Sequence, residues 1–331
     1  MLKNTLKHLN LNSFNKGTPF TNSNKLDKNV NSDHSAIGCV LEYDDENPII
    51  VQAVNISNVE YHKYFELGDN PPFKQTHLSV PKNCKDDKKN KWLIRKTEIQ
   101  MKNLINDLVT EKVHIQIISE GNYDFLTKMY FKLNELGFNF KMISILNTEN
   151  HGYVGKPSNI TAIIINTSIF EIIEHDTFTF LYKEEQNGGI LRDSKLVLPW
   201  ARILNKKTGK SLVVLGIHLS GCDSQNPKGG LSELNRIITC FNDTFKDDLI
   251  ALGDFNTVPK NIRKQLLNVQ VLTPLYPTHM NPDSNIVAYD NISYILTGGG
   301  IKSINLLDLC DIPIDSQALV TSILKNYEIT L

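Results

Sequence analysis

The sequence has no apolar run approaching the ~18 residues of a membrane span, and its first residues lack the continuous apolar core of a secretory signal. It has no Cys-x-x-Cys pair either. The five cysteines (Cys39, Cys84, Cys222, Cys240 and Cys310) are odd in number and scattered, which argues against a disulfide framework or a thiolate zinc site. Free or buried thiols in a reducing compartment fit better, so an intracellular, soluble, cytoplasmic chain is expected. Net charge is only −1. A global basic footprint of the kind a general nucleic-acid binder shows is therefore absent, and a local patch stays open. There is no internal repeat, and no composition shift that would divide residues 37–331. They read as one domain.

What is present is enough apolar material for a sizeable core: 40% of the residues are hydrophobic and only 13 are proline. Residues 1–36 are rich in Asn, Lys and Ser without a sustained period, and are expected to form a disordered leader. Leu2, Leu6 and Leu9 have helical spacing, which leaves a short amphipathic helix as the alternative to a frayed tail. The lysines between Lys82 and Lys96 read as a solvated loop face more readily than as a phosphate-tracking patch.

The chain is organised around Leu249-Ile250-Ala251-Leu252-Gly253-Asp254-Phe255-Asn256-Thr257-Val258-Pro259. A short apolar run that enters a turn of Gly, Asp, Asn and Pro fits a strand buried on both faces. Asp254 and Asn256, two apart at its end, can point the same way. A carboxylate that orients water beside an amide that binds growing negative charge would suit water attack on a phosphate.

Other polar residues fall at comparable places. Ile37 to Tyr43 and Ile49 to Ile56 predict a hairpin whose second strand ends at Asn55. Val113 to Glu120 predicts a strand ending at Glu120, which needs a cation or solvent to stabilise its charge. The runs at 160–165 and 170–173 predict a hairpin about Asn166-Thr167-Ser168. A second hairpin, about 205–210, leads to His218, and a helix over 231–245 leads back to Asp254. Ala288 to Leu296 predicts a further strand with Asp290 near its start, and Asp315 lies in a turn before a last one at 318–324. Carboxylates and an amide gathered at one sheet edge make a hard, oxygen-rich ligand set suited to Mg²⁺ or Mn²⁺.

The order of these pieces resembles the endonuclease/exonuclease/phosphatase (DNase I-like) superfamily of metal-dependent phosphoesterases over about residues 49–325. It rests on the strand ending in Asn55, Trp92-x-x-Arg95, Ile118-Ser119-Glu120, Thr161-Ala162-Ile163-Ile164-Ile165 with Phe170-Glu171-Ile172-Ile173, Thr208-Gly209-Lys210 before His218-Leu219, Gly253-Asp254-Phe255-Asn256, and Tyr289-Asp290-Asn291-Ile292. The resemblance implies an α/β fold, a four-layer α/β sandwich with two mixed β-sheets face to face and helices on both outer faces. It implies Glu120 as principal Mg²⁺ ligand with Asn55 and Asp315 nearby, and Asp254 as the residue that aligns or deprotonates water. By the same resemblance, Asn256 and His218 would hold the phosphate and Asp290 would orient a histidine. A monomer acting on a phosphoester, nucleic acid foremost and phospholipid or phosphoinositide as the alternative, is implied. A catalytically silent binding module is the reading from another class.

One departure matters most. The family closes on Ser-Asp-His, whereas this chain has Ile314-Asp315-Ser316. Either the site is slowed, or His151 or His279 substitutes, or catalysis is lost. Loss of one preorganised phosphate-binding group costs on the order of 10²–10³ in rate. If Ser316 marks a weakened site, Ser316→His raises Mg²⁺-dependent hydrolysis of a generic phosphodiester by at least about tenfold. No gain would mean that another group has taken the role.

Overall fold

The computed structural model describes residues 36–43, 48–56, 101, 104–105, 107–109, 113–143, 158–186, 190–219, 230–273, 279–280, 286–287, 290–297 and 300–306. The lysine-rich run, Trp92, Arg95, Asp315, Ser316 and the strand expected at 318–324 lie outside them. So does the 1–36 leader apart from Ala36, which is fully buried.

Two six-stranded mixed sheets make up the frame. The strands are β1 (Ile37–Tyr43), β2 (Ile49–Asn55), β3 (Ile115–Asn122), β4 (Phe140–Ile143), β5 (Ser158–Asn166), β6 (Phe170–Gln186), β7 (Ile190–Asn205), β8 (Ser211–His218), β9 (Asp248–Asp254), β10 (Gln270–Leu272), β11 (His279–Met280), β12 (Ile286–Val287), β13 (Asp290–Ile295) and β14 (Ile301–Leu306). The first sheet runs β14-β1-β2-β3-β5-β4 and the second β10-β13-β9-β8-β7-β6, with β11 and β12 as a separate pair. Helices α1 (Tyr123–Glu135), α2 (Gly230–Phe245) and α3 (Pro259–Gln265) accompany them.

Strand alternation explains the layers. Val51, Ala53, Ile115, Ile117, Ile163 and Ile165 of the first sheet meet Ile203, Leu212, Val214, Ile250, Leu252 and Ile292 of the second in one core between the sheets. The alternate residues Ile50, Val54, Ile118 and Ile164 face outward, against Leu126, Met129 and Leu133 of α1 and against Leu104 and Leu108. On the other side Val213, Leu215, Leu249 and Ala251 pack under Leu234, Ile237 and Phe241 of α2 and Ile262 of α3. Central strands are thus covered on both faces, which is why β2, apart from Gln52, and β9 between its terminal aspartates read as largely apolar runs. The result is the expected four-layer α/β sandwich.

The two sheets are also pinned by polar groups. The buried Asp248 at the start of β9 accepts from Thr297 N (2.7 Å) with Oδ1 and from Ile301 N (2.9 Å) with Oδ2. Ile301 opens β14, so this carboxylate ties the second sheet to the edge of the first.

One expectation is overturned. The runs about 166–168 do not form a hairpin: β5 belongs to the first sheet and β6 to the second. Ile163, Ile165 and Phe170 all enter the core between the sheets, so the short turn carries the chain from one layer to the other. The partner of β6 is β7, paired from Phe170↔Asn205 to Gln186↔Ile190. The 205–210 hairpin stands as expected, between β7 and β8.

Ile250 is fully buried and Leu267 is 61% exposed. Ile250→Ala is expected to lower the unfolding free energy by about 2–5 kcal/mol in chemical denaturation. Leu267→Ala should stay within about 0.5 kcal/mol of the parent chain, and equal losses would contradict this placement of the core.

Candidate active site

Two parallel pairs bring the site together. In the first sheet β2 runs beside β3, with Asn55 opposite Ser119. In the second, β8 runs beside β9, with His218 opposite Asp254. Both pairs end at the same edge of the sandwich. There Asn55 Nδ2 donates to Glu120 Oε1 and to Asp254 Oδ2, at 3.1 Å each. His218 Nε2 lies 3.5 Å from that Glu120 oxygen and 3.9 Å from Asp254 Oδ2. Asn55 and Asp254 are almost wholly buried, whereas the side chains of His218 and Glu120 keep 12% and 23% exposure, which gives a ligand its approach. Ser119 donates from Oγ to Ile217 O across the two sheets (3.3 Å).

Glu120 does not end its strand, as the sequence had suggested. β3 continues to Asn122, and between Ile118↔Ala162 and Gly121↔Ile160 it holds one residue more than β5. This is a β-bulge, and Glu120 sits in it at φ 56°. A bulge breaks the two-residue alternation and re-aims one side chain. The carboxylate gains its place beside Asn55 and His218 in this way, at a backbone cost of order 1–3 kcal/mol.

Asp254 is held from several directions. Asn256 N donates to Oδ1 (2.8 Å) and Asn256 Nδ2 to Oδ2 (3.1 Å). The same amide also donates to Leu219 O (2.7 Å), while Leu219 N donates to Asp254 O (2.9 Å). Asn256, at φ 50°, therefore directs its amide hydrogens at Asp254 and at the chain just beyond β8. The Leu219 backbone had no signal in the sequence, because a carbonyl and an N–H are common to every residue. Gly253 permits the turn: it has φ 138°, and a Cβ there would lie 2.1 Å from Ile217 O.

Asp290 opens β13 and stands in register with Asp254, so its backbone reaches the same edge. Asp315 lies outside the described residues, as do His151 and Ser316, and His279 opens the small β11 strand.

The residues present fit a divalent cation. One ligand atom each from Glu120, His218 and Asp254 lie within 4.8 Å of one another. Ligands about 2.1 Å from one ion stand about 3 Å apart when adjacent and about 4 Å apart when opposite. Asn55 donates from Nδ2 to both carboxylates, so its amide meets part of their charge.

The chain matches no protein-family model, and no curated protein matches it. Solved structures to which it is similar include a mannosyl-6-phosphatase of Bacteroides thetaiotaomicron, at 14% identity over 60% of this chain and 77% of that one, TM-score 0.45. An endonuclease/exonuclease/phosphatase family protein of the same organism is similar at 14% identity over 60% and 74%, TM-score 0.44. The catalytic domain of human Nocturnin with bound sulfate is similar at 14% identity over 58% and 72%, TM-score 0.41. Endonuclease/exonuclease/phosphatase structures are thus among the chain's structural neighbours.

Gly253→Ala puts a methyl group against the Ile217 carbonyl and must part β8 from β9. It is expected to cost more than about 2 kcal/mol in denaturant unfolding, and a variant as stable as the parent would contradict the close approach.

Proposed function

We propose that this chain is a metal-dependent phosphoesterase of the endonuclease/exonuclease/phosphatase superfamily that cleaves phosphodiesters, nucleic acid foremost. The observation that carries the reading is the meeting of Asn55, Glu120, His218 and Asp254, from four strands of two sheets, within hydrogen-bond or shared-ligand distance. Residues 199 apart in sequence come together here as carboxylates and polar groups at the carboxyl ends of parallel strands, the usual place for an α/β site.

Glu120 and Asp254 would hold the cation, with Asn55 beside them donating to both carboxylates, and Asp315 is proposed to join them. When bound, the ion supplies charge neutralisation for the phosphate oxygens and a pentacoordinate phosphorus during in-line attack. Asp254 keeps one geometry because Asn256 and Asn55 donate to it, and in that geometry it aligns the attacking water. Asn256 acts through Asp254, since its amide hydrogens are directed there and at Leu219. Asp290, level with Asp254 on the neighbouring strand, adds a further carboxylate to the edge. The order of the motifs, Trp92-x-x-Arg95 and Tyr289-Asp290-Asn291-Ile292 among them, supports the diester-cleaving branches.

The test is a panel of a generic diester, poly(A) RNA, single- and double-stranded DNA, phosphoinositides and sphingomyelin, each with Mg²⁺, Mn²⁺ or chelator. Metal-dependent cleavage of a nucleic acid is expected. Glu120→Gln and Asp254→Asn should each reduce it by at least about 10²-fold with the circular dichroism spectrum unchanged. Turnover confined to the lipids would move the substrate class, and no metal-dependent turnover of any ester would contradict the proposal.

A further inference from the structure

We propose that a cleft at the side of the sandwich is a second binding site, one that takes a small organic phosphate monoester. It uses none of the residues assigned to the cation or to the attacking water. β4 and β6 are the outermost strands of the two sheets on the side where the chain crosses from β5 to β6. The cleft there has a volume of about 500 Å³, within the range of small-molecule pockets. Phe170 and Ile172 supply apolar wall, and Lys141, His175 and Lys206 bring nitrogen to it. Lys206 follows the end of β7, where Leu204 pairs with Ser211, beside the Leu212↔Asp248 pair that begins the β8–β9 ladder. Asp254 stands at the other end of β9, about 20 Å further along the strand direction.

A bulge in β6 decides which side chain enters the cleft. Ile172 pairs with Ile203 and Glu174 with Arg202, so Ile173 is an extra residue, left 45% exposed. Opposite residues of an antiparallel pair share a face. His175 stands opposite Ala201, which belongs to the core between the sheets. In an unbulged pair His175 would instead stand opposite Trp200, on the helix-covered face, and Glu174 would take the place opposite Ala201. The same shift sets the ring of Phe178 on that of Trp200, with centroids 6.2 Å apart, so packing alone could account for the extra residue. Its effect on the cleft is electrostatic all the same: a carboxylate is turned out and an imidazole is turned in. Glu171 also lines the cleft. It alternates with Phe170 and Ile172, which sets its side chain on the other face of β6.

The cations are held in place without being neutralised. Lys206 N donates to Ile169 O (3.0 Å), and its Nζ donates to Thr167 O (2.7 Å). Thr167 donates to Asn139 O from N (2.8 Å) and from Oγ1 (2.9 Å). The start of β4, the crossing turn and the β7–β8 turn are thereby stitched together at the rim. A lysine ammonium has three donors, so Lys206 keeps two for a ligand. Among the described residues, the side chains of Lys141 and His175 make no ion pair and no hydrogen bond. Two ammonium groups and an imidazole beside an apolar wall suit a phosphate monoester, which carries nearly two negative charges at neutral pH. Its organic body would rest on Ile172 and the edge of Phe170.

The experiment titrates the full chain calorimetrically in EDTA, which keeps the metal edge from holding phosphate. The probes are AMP, dihexanoyl phosphatidic acid, inorganic phosphate and adenosine. At least one of the two organic phosphates is expected to bind with Kd below about 1 mM, at least about tenfold tighter than inorganic phosphate or adenosine. Tighter binding of AMP would identify a nucleotide as the source of the phosphate, and tighter binding of the phosphatidate a lipid; either supports the site. The double variant Lys141→Gln/Lys206→Gln should weaken binding by at least about tenfold, whereas Lys207→Gln and Glu120→Gln should stay within about twofold of the parent. All three lysines are exposed, so these variants leave the core intact. Acetylation followed by mass spectrometry should show Lys141 and Lys206, but not Lys207, protected by the bound probe. No binding of either organic phosphate, affinity unchanged in the double variant, or inorganic phosphate bound as tightly as both would each overturn the proposal. Metal-dependent hydrolysis without such binding would sink this inference alone, and binding without hydrolysis of any ester would sink only the phosphoesterase reading.

Discussion

Two carboxylates from separate sheets, Glu120 and Asp254, are brought so close that one amide nitrogen of Asn55 donates to both. Like charges at that separation disfavour each other's ionised form and must be compensated by a cation or by donors. Asp254 is almost wholly buried, so solvent cannot do this for it. Much of the edge is built to meet that demand: the Asn55 amide, the Asn256 main chain and side chain, and the imidazole of His218. A fold that needed only a polar turn after β9 would have no use for such an arrangement.

The apolar core between the sheets makes the arrangement possible. Glu120 and Asp254 belong to strands that share no hydrogen-bonded ladder, and the stacked layers of Ile, Leu and Val between the sheets set their relative position. Polar bolts reinforce the stack at both ends: Ser119 to the Ile217 carbonyl beside the site, and Asp248 to Thr297 and Ile301 at the start of β9. A divalent ion held by Glu120 from one layer and Asp254 from the other would add a further tie, which links occupancy to stability.

The strand ends were legible because a buried strand reads as an apolar run, and a polar residue at its close is conspicuous. Asn55, His218 and Asp254 could be placed in this way. The bulge at Glu120 could not, since one extra residue in a strand leaves no trace in composition. The turn at 166–168 misled because the same polar residues serve a hairpin and a crossing between stacked sheets. The β6–β7 ribbon was missed beyond Ile173, where Glu174, His175 and Asp176 interrupt the apolar pattern in strands that run past the core. The allocation of Asn256 to Asp254 and Leu219 depends on a backbone carbonyl brought in from β8, a partner that no side-chain motif announces.

The account reduces to one volume of space shared by two carboxylates from two sheets. Anomalous diffraction at the manganese edge, from crystals grown with MnCl₂, examines that volume directly. A single strong peak about 2.1–2.4 Å from an oxygen of Glu120 and an oxygen of Asp254 is the predicted result. A peak elsewhere, or Glu120 and Asp254 closed on each other's donors with no ion between them at saturating Mn²⁺, would contradict it.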